Sequence, residues 1–173
     1  MWKTPVHLVL TCVPIYEIPV YRYEKYRYPY IEARALGVQR VIFWNAEPED
    51  PRVSSPDAAF SAFSKFWEEL GQSLAQVLVY VPEHADFLRL RGFFRNRNTP
   101  FCSMTEFTSN KNLSRRRLEF QKGAHTVALI TERFVWYRRY RIKGARHVVF
   151  YGPPSERAVF IAVYIMYILR GRW

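Results

Sequence analysis

Three short stretches constrain this chain more than anything else in it: Val77–Val81 (VLVYV), His125–Thr131 (HTVALIT) and Arg146–Tyr151 (RHVVFY). Each is apolar at nearly every position and rich in β-branched residues. A strand with one wet face alternates apolar and polar side chains, whereas a strand covered on both faces reads as a continuous apolar run. Such strands need helices above and below the sheet, and the intervening segments supply them. Ser55 reads as an N-cap, Pro56 as the first helical residue and Asp57 as an acid in the positive first turn. Phe60, Phe63, Trp67 and Leu70 then recur at helical spacing, and Gly71 ends the helix. That aromatic stripe reads as core.

A second helix is expected from Pro82 and Glu83 through Phe94, with Phe87, Leu88 and Leu90 inward and Arg89, Arg91 and Arg95 toward solvent. Pro100–Thr105 reads as a short strand. A third helix, from about Asn110 to Lys122, carries Arg115, Arg116 and Arg117 and stops at Gly123. Val41–Trp44 reads as a further strand or core segment, and Ser155 as the cap of a final apolar helix. Strand, helix, strand, helix, strand, basic loop, strand, helix is the order of an α/β domain with a parallel sheet.

Residues 1–40 read as a tyrosine-rich N-terminal extension to a lobe formed by residues 41–173. Tyr16–Tyr30 holds six tyrosines interleaved with Pro, Arg, Lys and Glu, and Pro19 and Pro29 suit an irregular arm or an edge. Val6–Ile15 (VHLVLTCVPI) resembles a secretory leader only faintly, because a histidine and a proline interrupt it and a second proline precedes it. Ala158–Leu169 is an apolar run of 12 residues. A bilayer span takes about 20, so a buried helix is expected, with a short tail anchor as the alternative. Cys12 and Cys102 lack metal-ligand or disulfide-framework spacing, as do the four histidines, so no metal is expected and a reducing compartment is.

Charge is distributed unevenly. The chain has 26 Lys+Arg against 15 Asp+Glu, yet Arg89–Arg146 alone holds 15 basic residues and three acidic ones, Glu106, Glu119 and Glu132. The remainder, with 11 basic and 12 acidic residues, is nearly neutral. A regional excess is the footprint of a polyanionic partner, nucleic acid or an anionic membrane surface. It is densest between strands, where Arg133, Arg138, Arg139, Arg141, Lys143 and Arg146 interleave with Phe134, Trp136, Tyr137 and Tyr140. Guanidinium groups fork onto phosphates and aromatic faces stack on unpaired bases. The loop from Glu132 to Ala145 starts at the carboxyl end of a strand, where ligands bind in open parallel sheets. Trp136 is placed either as a base platform or as a core residue against the last helix.

Specific motifs add a resemblance. Leu129-Ile130-Thr131-Glu132, Phe120-Gln121-Lys122-Gly123 and Tyr151-Gly152-Pro153-Pro154 resemble motifs of the second RecA-like lobe of superfamily 2, DEAD-box-like RNA helicases. Val77–Phe94, Ser114–Arg117, Thr131–Phe134, Tyr137–Tyr140, Ile142–Gly144 and Phe150–Tyr151 resemble more closely the digestive organ expansion factor family, also called U3 small nucleolar RNA-associated protein 25. The resemblance runs from Val38 to Pro154 and does not reach either end of the chain, and it lacks the first helicase lobe. It implies a RecA-like fold and a nucleolar factor of the small-subunit processome that supports pre-18S ribosomal RNA processing. The implied partners are pre-rRNA or U3 small nucleolar RNA and processome proteins.

Enzymatic activity is not expected. There is no GxxxxGK[ST] loop to cradle phosphates. Where a helicase lobe carries Arg-Gly-x-Asp stand Trp136-Tyr137-Arg138-Arg139, and beyond Pro154 only Arg157 stands where paired arginine fingers belong. No cofactor, small-molecule substrate or membrane is therefore expected. The RNA contacts are assigned to Arg115, Arg116, Arg117, Arg133, Trp136, Tyr137, Arg138, Arg139, Arg141 and Lys143. The alternatives are an ATP-dependent RNA helicase whose first lobe lies outside this sequence, and a peripheral membrane protein with a basic face.

Overall fold

Six parallel strands form one sheet in the order β2-β1-β6-β3-β5-β4 in a computed structural model that describes residues 6–11, 39–44, 55–138, 140 and 142–152. The strands are β1 (Val6–Thr11), β2 (Gln39–Trp44), β3 (Val77–Val81), β4 (Phe101–Met104), β5 (Val127–Thr131) and β6 (His147–Phe150). The helices are α1 (Ser55–Glu69), α2 (His84–Asn96), α3 (Asn110–Gln121) and α4 (Glu132–Arg138), with a short 3-10 turn at Gly71–Ser73. The arm at residues 16–30 and the apolar run at residues 158–169 lie outside the described residues, as do Arg139, Arg141 and Arg157.

β3 and β5 are buried at all five positions, as their unbroken apolar runs require. Alternate residues feed two cores. Leu78, Tyr80, Ala128, Ile130, Val148 and Phe150 pack beneath α3 and α4, through Leu113, Phe120, Phe134 and Val135. Val77, Val79, Val81, Val127, Leu129 and Val149 pack beneath α1 and α2, through Phe63, Phe66, Trp67, Phe87, Leu90 and Phe94. The connections through α1 and α2 cross their face in one direction along the strand order, and those through α3 and α4 cross the opposite face in the other. All four crossovers therefore share one hand, as parallel crossovers do.

Three sequence expectations change. Val6–Thr11, placed in the extension, is a strand inside the sheet, pairing with β2 and β6. Leu88 is half exposed, and Phe94 takes the inward place, because Phe87, Leu90 and Phe94 follow the i, i+3, i+7 spacing of one helix face. The stretch after β5 begins as a helix rather than a loop. Thr131 terminates β5, and its Oγ1 accepts a hydrogen bond at 3.2 Å from the Phe134 amide, capping α4, while Phe134 and Val135 enter the core.

Two glycines lie at the edge of the sheet where β3, β5 and β6 begin. Gly123 ends α3 at φ +80°, with the Ala124 amide donating to the Glu119 carbonyl at 3.0 Å. Gly144, at φ +95°, passes so close to α3 that a Cβ there would lie 2.9 Å from the Gln121 Cα.

Candidate nucleic-acid interface

Because every strand is parallel, β3, β4, β5 and β6 end at one edge of the sheet, and the segments that follow meet there. The turn after β4 is fixed from all sides. The Thr105 amide donates to Thr108 Oγ1 at 3.0 Å, and the Thr108 amide returns a bond to the Thr105 carbonyl, also at 3.0 Å. The Glu106 carboxylate turns inward, with its side chain only 12% exposed. It accepts from Thr131 Oγ1 at 3.1 Å and lies 3.8 Å from Arg133 Nε. Arg138, at the end of α4, reaches back over the turn. It donates to the Glu106 carbonyl at 3.0 Å, the Thr108 carbonyl at 3.4 Å and Asn110 Oδ1 at 3.1 Å. Phe107, between the two gripped carbonyls, is 79% exposed.

On α4 the aromatics divide. Phe134 is buried, whereas Trp136 is 45% and Tyr137 65% exposed, so Trp136 is not enclosed in the core. Beneath them Tyr80 is fully buried, and burial, then the nearby Glu132 charge, pushes its phenol far above the ordinary value. Arg133 is exposed beside the turn, and Lys143 is exposed in the turn closed by Gly144.

The three arginines of α3 do not form one patch. Successive helical residues point about 100° apart, so they diverge. Arg115 Nε lies 3.7 Å from Glu119 Oε1, Arg116 hydrogen-bonds the Ser103 carbonyl on β4, and the Arg117 guanidinium sits 5.0 Å from the centre of the Tyr140 ring. Arg116 thereby occupies an acceptor on the edge strand. Outside that edge, Arg91 and Arg95 of α2 meet Arg115 and Arg116 around an open basin of about 490 Å³, with Glu119 and His125 in its wall. Sequence reading overlooked this basin and the turn that carries Phe107. Thr-x-x-Thr spacing signals the turn, but nothing local shows which way its phenylalanine faces. Cys102, beside the basin, is buried, and burial pushes its thiol up to about 12 against the opposing charge of Arg116.

The acidic residues of the basic region are engaged internally. Glu106 meets Thr131 and Arg133, Glu119 meets Arg115 and His125, and Glu132 lies beside Tyr80. Among the described residues no three His, Cys, Asp or Glu side chains are grouped to hold a metal ion, and no helix is long and apolar enough to cross a membrane.

A profile of the Utp25 C-terminal domain matches residues 31–170. The chain belongs to the Utp25 family. The match extends past the Val38–Pro154 stretch marked by motifs and takes in most of the last 16 residues. The chain is 40% identical over 116 residues to the U3 small nucleolar RNA-associated protein 25 homolog of Rattus norvegicus, covering 66% of this chain and 15% of that protein. It is 37% identical over 108 residues to the homolog of Xenopus tropicalis, covering 61% and 14% respectively. The chain thus spans a small part of the relatives it matches. Among solved structures it resembles the C-terminal part of the Fun30 ATPase domain, with TM-score 0.54 and 9% identity over 63% of this chain and 36% of that one. The fold is the RecA-like parallel sheet with helices on both faces.

Proposed function

We propose that this Utp25-family chain is a non-enzymatic RNA-binding factor of ribosome biogenesis, acting in the nucleolus within the small-subunit processome. Its RNA partner is pre-rRNA or U3 small nucleolar RNA, and the process it supports is pre-18S rRNA processing. Relatives named U3 small nucleolar RNA-associated protein 25 support the setting. The observation that carries RNA binding is the uncompensated charge: 15 basic residues against three acidic ones between Arg89 and Arg146, with those acids engaged by the protein itself. Phosphate contacts come from Arg133 at the carboxyl ends of the strands, from Lys143 at the opposite edge where they begin, and from Arg115 at the α3 surface, joined by Arg139 and Arg141 from the sequence. Trp136 and Tyr137 offer aromatic faces to unpaired bases. Arg116, Arg117 and Arg138 serve first as structural ties. Catalysis is unsupported by the sequence, which has no GxxxxGK[ST] loop and carries Trp136–Arg139 where a helicase lobe has Arg-Gly-x-Asp.

The test is binding of the 173-residue chain to unrelated single-stranded RNAs across a salt series. Affinity falls linearly with log salt, and reversing Arg133 and Lys143 to Glu lowers the slope by about 1.4, from about 0.7 per lost phosphate contact on a single strand. Salt-independent binding, or an unchanged slope in the double variant, overturns the assignment. ATP turnover stays at background with and without RNA. Turnover that co-purifies with the chain and is lost on changing Glu132 refutes the non-enzymatic reading.

A further inference from the structure

We propose that Phe107 is a stacking platform for an unpaired nucleobase, and that Arg138 acts as its brace rather than as a phosphate contact. The proposal rests on the RNA-binding reading and adds to it the residue that engages a base. An isolated exposed phenylalanine needs no explanation on a mobile loop. This one is different because its turn is fixed: Thr105 and Thr108 bond each other, Glu106 is held by Thr131, and Arg138 grips the carbonyls on both sides of Phe107. Ordering of the turn is thus complete before any partner arrives, and a rigid aromatic presented to solvent is a preorganised contact.

The surrounding charge selects the occupant. Lys111 and Arg133 are exposed near the turn, and the acid next to Phe107, Glu106, faces inward on its own partners. An apolar protein pocket closing over Phe107 must strip water from those cations, whereas an RNA strand gives them phosphates while a base covers the ring. Tyr137, 65% exposed, immediately precedes Arg138, so the hydrogen bonds of Arg138 tie the end of α4 to the turn and place a second aromatic on the same rim. Lysine at position 138 keeps the charge but lacks the fork that spans two carbonyls and Asn110.

The experiment titrates the full chain with single-stranded RNA containing 2-aminopurine and reads affinity, salt slope and quenching of the base. Phe107→Ala weakens binding roughly 5- to 150-fold, the range for one lost base stack, and reduces quenching, with salt slope and urea midpoint unchanged. Phe107→Tyr retains both affinity and quenching. Arg138→Lys follows Phe107→Ala in affinity and quenching while keeping the salt slope. If Phe107→Ala binds and quenches like the parent while Arg133→Glu still lowers the slope, the platform is refuted and the RNA-binding reading stands. If Phe107→Ala spares RNA binding but lowers recovery of the chain with pre-ribosomal particles, the ring docks on protein and the proposal fails. If the parent chain shows no salt-dependent RNA binding, both readings fall together.

Discussion

Thr131 joins a strand, a helix and the Phe107 turn through one hydroxyl, so replacing it with valine tests whether those links hold the strand-end surface together. The residue is 2% exposed and is the buried polar side chain of the described core. Its Oγ1 donates to Glu106 Oε2 at 3.1 Å and accepts from the Phe134 amide at 3.2 Å. Valine preserves shape and strand preference and removes only the hydroxyl. The Phe134 amide, buried at the start of α4, then has no cap, a loss of about 1–2 kcal/mol. Glu106 loses a donor at a largely enclosed carboxylate, another roughly 1–2 kcal/mol. The extra apolar contact of the valine methyl offsets less than about 1 kcal/mol, leaving a net destabilisation of about 2–3 kcal/mol. With a urea m-value of about 2 kcal/mol/M, the midpoint falls by about 1–1.5 M at unchanged m. Thr131→Ser keeps the hydroxyl and recovers most of the loss. A shift below about 0.5 kcal/mol in Thr131→Val, or an equal loss in Thr131→Ser, refutes the hydroxyl's role.

Two further outcomes follow from the same geometry. Gly123→Ala costs about 1–2 kcal/mol for its left-handed backbone alone. Gly144→Ala costs more in urea unfolding, since its Cβ also meets the Gln121 backbone at 2.9 Å, and equal costs for the two argue against that close approach. Cys102, its thiol pushed up to about 12 in the fold from an ordinary 9.0, stays un-ionised through pH 9. Its contribution to stability is full below about pH 9 and is lost as pH rises toward 12. Iodoacetamide at pH 8.5, read by peptide mass, therefore labels Cys102 only in urea above the unfolding transition. Rapid native labelling contradicts its burial.

The legible parts of the fold were those whose pattern is local. VLVYV and VALIT declare strands covered on two faces, and Ser-Pro-Asp before a Phe-Phe-Trp spacing declares α1. β1 was illegible because its partners, Gln39–Trp44 and His147–Phe150, are far along the chain. α4 was masked by its composition: it buries only Phe134 and Val135 in seven residues, and its cap is the last residue of a strand. At the candidate site, Arg133, Trp136, Tyr137 and Lys143 are exposed. The divergence of Arg115, Arg116 and Arg117 was implicit in helical geometry, but their individual partners on β4 and at Tyr140 are tertiary facts. So is the meeting of Arg91 and Arg95 with Arg115 and Arg116 across the β4 edge.

These contacts separate two kinds of arginine that composition treats alike. Arg116 and Arg138 direct their donors at backbone carbonyls, and Arg117 lies against an aromatic ring, so each holds one segment of the lobe to another. Arg133 is exposed at the carboxyl ends of the strands beside Glu106, Lys143 is exposed at the opposite edge, and Arg115 pairs with Glu119 across one helical turn, an interaction that solvent weakens. A glutamate at position 138 would therefore do two things at once: it would remove a cation and repel the carbonyls on both sides of Phe107, releasing the turn. Lost affinity there would report the turn as much as the phosphate. A glutamate at Lys143 has no such tie to break, so its effect on the salt slope isolates the electrostatic part of the proposed RNA binding, whereas at Arg133 it would also repel Glu106 in the turn. Charge reversal at 143, with the charge-conserving Arg138→Lys beside it, thus separates, within the proposed RNA binding, a cation that would meet phosphate from the one that would hold an aromatic in place for a base.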